Sequence, residues 1–142
     1  MAALDQAMAS KILNVITPTG TAGIPGTWTA LSASAMKCKL TSTASTASAS
    51  GTEITGTGYT AGGTAFGTAS TASSAGSNVT APAGSALSWT NASGGAWSIQ
   101  SVEITDNAGV RVWFGNFTGA RISVANGNPF QIAIGGLTFA LS

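Results

Sequence analysis

The chain has 142 residues, the size of one domain, and only 6% of them are charged, against about 25% in an ordinary soluble domain. A net charge of +1 gives no electrostatic footprint for nucleic acid or an anionic membrane. The absence of histidine removes His-based acid–base catalysis, Ser-His-Asp and Cys-His nucleophiles and His-containing zinc sites, and the single cysteine, Cys38, has no internal disulfide partner.

Ala, Ser, Thr and Gly dominate what remains, with 19 glycines, and the large apolar residues concentrate in 1–40 and 87–141. This pattern predicts a folded but thinly cored domain, stabilised by neighbours that bury more of its surface. Low charge points the same way, because a free monomer relies on charge to stay apart from its copies. The expectation is a subunit of an assembly. The N-terminus lacks the basic region of a signal peptide, and no run of about 18 apolar residues is long enough to span a bilayer.

Along the chain, Leu4, Met8, Ile12, Val15 and Ile16 share one face of a 3.6-residue period, which predicts a short helix over 3–16, ended by Thr17-Pro18-Thr19-Gly20. A lone helix of this length must pack on something, either its own sheet or a neighbouring subunit. Residues 1–20 are therefore read as a helical anchor segment, and 21–142 as a single β domain. In 36–42, Met36, Cys38 and Leu40 alternate with Lys37 and Lys39. That is the mark of a half-buried strand with both lysines on a solvent face or a subunit contact. Cys38 is then a small buried hydrophobe.

The Ser/Thr/Ala/Gly-rich stretch 41–86 is expected to hold two or three weak strands, best placed at Ile54–Tyr59 and Thr64–Thr68. Its Gly56-Thr57-Gly58-Tyr59 run lacks the Lys-Ser/Thr pair of a phosphate loop. Further on, Trp97 and Ile99 alternate while Val102 and Ile104 continue in the opposite phase, which places a bulge near Gln100–Ser101. Asp106-Asn107-Ala108-Gly109 is turn chemistry, and Val110, Val112 and Phe114 alternate opposite Arg111 and Trp113. Ile122 and Val124, an Asn126-Gly127 turn, then Phe130, Ile132 and Ile134, a Gly135-Gly136 break, and Leu137, Phe139 and Leu141 complete the pattern. Short strands between frequent turns predict a mainly β protein, an antiparallel β-sandwich of Ig-like or jelly-roll-like type carrying the short N-terminal helix.

Chemistry is sparse. The acids Asp5, Glu53, Glu103 and Asp106 are scattered, with turn and surface roles expected, and no calcium-loop ligand series appears around 106–109. Asn78, Asn91 and Asn116 begin Asn-X-Ser/Thr triplets, which chance explains in so Ser/Thr-rich a chain. Trp28, Trp89, Trp97 and Trp113 are expected in a small core or an interface, with an aromatic sugar platform as the sharper reading. No catalytic residue, cofactor or metal is expected.

The order of motifs resembles a small family of phage virion proteins, labelled tail fibre or capsid decoration proteins of tailed phages. The residues that carry the resemblance are Lys37–Thr43, the small-residue loop after it, and Glu53-Ile54-Thr55-Gly56-Thr57-Gly58-Tyr59. They continue in Trp97–Thr105, Asp106–Gly109, Val112–Gly119 and the ending Gly135-Gly136-Leu137-Thr138-Phe139-Ala140-Leu141. Gly136 stands where an acid is common before the final strand, and the loop after Lys39 lacks the usual acidic and proline residues. The resemblance implies a non-enzymatic structural role on the virion, as a homotrimer on the capsid surface that binds the major capsid protein, made in the host cytoplasm. Leu4, Met8, Ile12, Val15 and Ile16 would anchor it, with Trp28 and Trp113 as interface residues. A tail-fibre or tail-tip module binding a host glycan is the alternative.

Overall fold

The computed structural model describes residues 3–4, 36–65, 79–82, 85–106 and 108–139, and over these the chain is made of β-strands joined by turns. In chain order the strands are β1 Ala3–Leu4, β2 Lys37–Thr41, β3 Thr64–Ala65, β4 Val79–Ala81, β5 Leu87–Thr90 and β6 Trp97–Ile99. They continue with β7 Ser101–Thr105, β8 Arg111–Asn116, β9 Ile122–Val124, β10 Pro129–Ile132 and β11 Leu137–Phe139. Every pairing is antiparallel: a five-stranded sheet in the order β1-β8-β7-β2-β3, and the two-stranded pairs β10-β5, β11-β4 and β6-β9.

Of these pairings β2 with β3 and β7 with β8 join consecutive strands, and only β7 with β8 does so through a short turn. Asp106 builds their turn, accepting from Gly109 N on its carbonyl (3.1 Å) and from Val110 N on its carboxylate (2.8 Å). Gly109 takes φ +84°, open to glycine at no steric cost. The other predicted turns also form, with Asn128 N donating to Ala125 O around Asn126-Gly127 and Gly136 N to Ala133 O after β10. The strands they connect, however, pair with different partners, so neither turn closes a hairpin.

The phase change at Gln100–Ser101 has a physical cause that periodicity could not reveal. Trp97 and Ile99 belong to β6, which pairs with β9, whereas Val102 and Ile104 belong to β7, paired with β2 and β8. One run of chain thus leaves one sheet and enters another. The bulge itself lies elsewhere: Ile104 faces Trp113 and Thr105 faces Arg111, which leaves Val112 as the extra residue of β8.

The core joins the large sheet to the β10-β5 and β6-β9 pairs, and Leu137 of β11 packs against it. Cys38, Leu40, Val102 and Ile104 from the sheet cluster with Leu87, Trp89, Trp97, Ile99, Val124 and Ile132 from the pairs. Tyr59 meets Trp97 edge to face with ring centroids 6.2 Å apart, and Trp89 Nε1 donates to Thr64 Oγ1 at 2.9 Å. Trp89 and Trp97 are therefore core residues, as composition suggested.

Some expectations are corrected. Of the span read as an N-terminal helix, Ala3 and Leu4 are described, and they are extended, opposite Phe114 and Trp113. Met8, Ile12, Val15, Ile16 and Trp28 lie outside the described residues. Ile54–Tyr59 is not a strand: only Glu53 makes a bridge, to Thr41, and the chain then turns at Gly56–Tyr59. Thr64–Ala65 does form a strand, while 66–68 lie outside the described residues. Val110 precedes β8 and is exposed, and Ile134 stands at a turn with 60% of its surface exposed.

Candidate functional site

The five-stranded sheet has two unlike faces. On β2 and β7 the register sets Cys38 opposite Ile104 and Leu40 opposite Val102 on one face, with Lys39 opposite Glu103 and Thr41 opposite Ser101 on the other. The first face is the core. The second is polar, yet Thr41, Ser101 and Glu103 are fully buried. What covers it is the loop 42–52, made wholly of Ser, Thr, Ala and Gly.

Glu103 is the hub. Its Oε1 accepts from Ser45 Oγ (2.7 Å), Gly51 N (2.9 Å) and Arg111 Nη1 (3.1 Å). Its Oε2 makes no hydrogen bond and is balanced by the Lys39 ammonium, 3.2 Å away. Burial alone would raise the Glu103 pKa, but the bonds from Ser45, Gly51 and Arg111 and the Lys39 charge outweigh it and hold the carboxyl below its ordinary value. The surface role expected for Glu103, and the solvent or subunit role expected for Lys39, are both corrected: each side chain is spent inside the molecule.

Arg111 extends the same cluster into the loop. Nη1 donates to Ala49 O (2.6 Å), and Nη2 donates to Thr46 O (2.6 Å) and Ala47 O (3.2 Å). Its guanidinium also lies 4.9 Å from the centre of the Phe114 ring. From the far end of β8 Asn116 clamps Ser45 as a second backbone would, accepting from its N–H and donating to its carbonyl, both at 2.8 Å. Gly51 passes so close to Thr43 O and the Thr41 side chain that a Cβ there would collide with both. A stretch without hydrophobic signal is thus ordered by a carboxylate, a guanidinium and an amide.

A second buried device closes the outer side of β2. Leu40 N points into the gap between the Glu53 bridge and β3, where the Tyr59 hydroxyl accepts from it at 3.1 Å and donates to Glu53 Oε1 at 2.9 Å. Gly62 N donates to the same Glu53 oxygen at 2.7 Å. Burial is the main cause that pushes the Tyr59 phenol well above its ordinary range. Gly63, at φ +89°, lies where a Cβ would come within 2.6 Å of Cys38 O. Cys38 is itself wholly buried, and burial drives its thiol far above 9.0, which leaves it neutral and unreactive.

These arrangements tie loops to the large sheet. Glu53 and Glu103 are engaged in separate networks, and among the described residues no group of three or more His, Cys, Asp or Glu side chains could hold a metal. Among the same residues no helix is long and apolar enough to cross a membrane. Asn91, one of the triplet asparagines, is fully buried: its amide donates to Gly95 O and Val124 O and accepts from Ser93 N and Oγ. It knots the loop between β5 and β6 and is closed to modification in the folded chain.

A cleft of about 300 Å³ lies between the outer part of β8 and the start of β11, lined by Trp113, Phe117, Leu137 and Thr138 among others, with no charged residue in its lining. Trp113, expected at an interface, is half-buried and shares the core face with Ile104. Phe117 continues outward to Phe130, 6.4 Å away edge to face, which tilts against Trp89 at 6.0 Å. Comparison of the chain with known protein families, curated proteins and solved structures found no match in any of the three.

Proposed function

We propose that this chain is a non-enzymatic structural protein of a tailed-phage virion, a capsid decoration (cement) protein that binds assembled coat as a homotrimer. The observation that carries the reading is the disposition of charge. Glu103 is paired with both Lys39 and Arg111 beneath the loop 42–52, Lys37, Glu53 and Asp106 are half-buried, and among the described residues Arg121 is the one exposed charged side chain. A surface of hydroxyls, methyls and backbone suits a protein that works held in place among many copies. The sequence resemblance supplies the virion context.

In this reading the β10-β5, β11-β4 and β6-β9 pairs form the second layer of an antiparallel sandwich over the apolar face of the large sheet. The common core that joins them supports it. Leu4, Met8, Ile12, Val15 and Ile16, with Trp28 and Trp113, supply contacts to coat and to neighbouring copies. A protein that binds only assembled coat stabilises the shell by mass action, and many modest contacts sum through avidity. Co-sedimentation with expanded cognate capsids, followed by cryo-electron microscopy, tests this. Density on the capsid surface is the expected result, and failure to bind capsids overturns it.

The alternative, a tail-fibre or tail-tip module for a host glycan, draws on the aromatic lining of the cleft at Trp113 and Phe117. It predicts that labelled protein binds host cells and that a folded Trp113→Ala variant does not.

A further inference from the structure

We infer that β1 is an exchangeable strand: in the assembled protein the Ala3–Leu4 segment of one copy pairs with the β8 edge of another. The inference deepens the homotrimer reading and rests on it. β1 contributes only two rungs, Ala3 opposite Phe114 and Leu4 opposite Trp113, at the outer edge of the large sheet. Between Leu4 and Met36, where the described chain resumes, lie residues 5–35, a tether of 31 residues. Fully extended, such a tether reaches on the order of 100 Å, against a diameter of roughly 35–40 Å for a domain of this size. The rungs on a neighbour would be the same rungs, so effective concentration decides which copy supplies the strand.

The receiving edge favours occupation. Natural sheets protect open edges with charge, proline or a covering element. Beside β1 the outer edge of β8 runs into the 300 Å³ cleft, whose lining of Trp113, Phe117 and Leu137 includes no charged side chain. The nearest charge on β8, Arg111, is turned to the other face and tied to Glu103 and the loop carbonyls. The amide of Asn116 is committed to Ser45. The cleft therefore offers no charge and, apart from Asn116, only Thr138 as a polar side chain of its lining, while a strand edge and an aromatic floor are what an extended segment of a second copy requires.

The test uses the full chain in a Cys38→Ala background, with Ala3→Cys and Phe114→Cys placed in two differently tagged proteins. These are refolded together and oxidised, and the products are mapped by peptide mass. The expected result is a disulfide that joins the two tags at these positions, together with a wild-type mass in solution above the 13.8 kDa of one chain. A mixture without that product overturns the inference, as does a chain carrying both cysteines that closes on itself in the same mixture. Should Phe114→Cys fail to fold, Leu4→Cys with Trp113→Cys probes the adjacent rung by the same criterion. Strand exchange without capsid binding would sink the capsid reading alone, whereas capsid binding by internally closed chains would sink only the exchange.

Discussion

On one face of the five-stranded sheet Cys38, Leu40, Val102 and Ile104 meet other apolar side chains. On the other, Thr41, Ser101 and Glu103 meet the carbonyls, amides and hydroxyls of the loop 42–52, and Lys39 pairs with Glu103. Both faces exclude water, by opposite means. The apolar face gains from burial area and tolerates any filling of similar volume. The polar face gains little net energy from its ion pairs, because desolvation offsets their attraction, but it accepts only the arrangement that satisfies every member. The first face supplies stability, the second specifies where a featureless loop must lie.

Breaking the polar face should cost most. Glu103→Ala leaves Arg111 and Lys39 without their anion and should destabilise by about 3–5 kcal/mol, measured by chemical denaturation. Pairing Glu103→Leu with Arg111→Met should cost clearly less than the two single changes summed, the mark of a coupled pair. On the apolar face, Leu40→Ala should cost about 2–5 kcal/mol through the cavity it leaves, with the loop 42–52 still protected from hydrogen exchange. That contrast separates the faces, since Asn116→Ala should cost only about 1–2 kcal/mol while opening the loop, with faster exchange at Ser45 N.

Two titrations sharpen the comparison with smaller effects. Glu103 is held below its ordinary 4.5 in the fold, so its contribution is fully present above that pH and is lost as pH falls through the depressed folded value. Stability followed by circular dichroism should decline below about pH 4.5 in the wild type and less steeply in the Glu103→Leu, Arg111→Met pair. Cys38 has the opposite sign: its thiol stays neutral when folded but ionises above 9.0 when unfolded, so stability falls as pH rises past that value. A thiol reagent should therefore modify Cys38 at the global unfolding rate, and Cys38→Ala should flatten the alkaline limb.

How legible this was depended on the range of the forces involved. Alternation at Met36–Leu40, the Asp106–Gly109 turn, the short strands at Ile122 and Leu137, and the break at Gly135 are local, and they stand in the fold where periodicity and turn chemistry put them. The phase change at Gln100 was visible, but its meaning, a passage between sheets, needed the partners β9 and β2. Glu103 and Arg111, eight positions apart, carried no signal of contact, and Ser45, Ala49 and Gly51 lay in a small-residue loop with no pattern of its own. Leu4 matched a helical face by spacing, yet it lies in an extended rung because the β8 edge offers backbone partners that spacing cannot represent.

The sequence by itself determined a mainly β chain, poor in charge, lacking histidine, with Trp89, Trp97 and the alternating aliphatics as its core. Side-chain period and composition act within a few residues, and for those questions a few residues suffice. Only the tertiary structure decided where the few charges went. An ion pair or a loop carbonyl is chosen by distance in space, and burial made Lys39 and Arg111 converge on Glu103 beneath a loop that has no hydrophobic reason to be ordered.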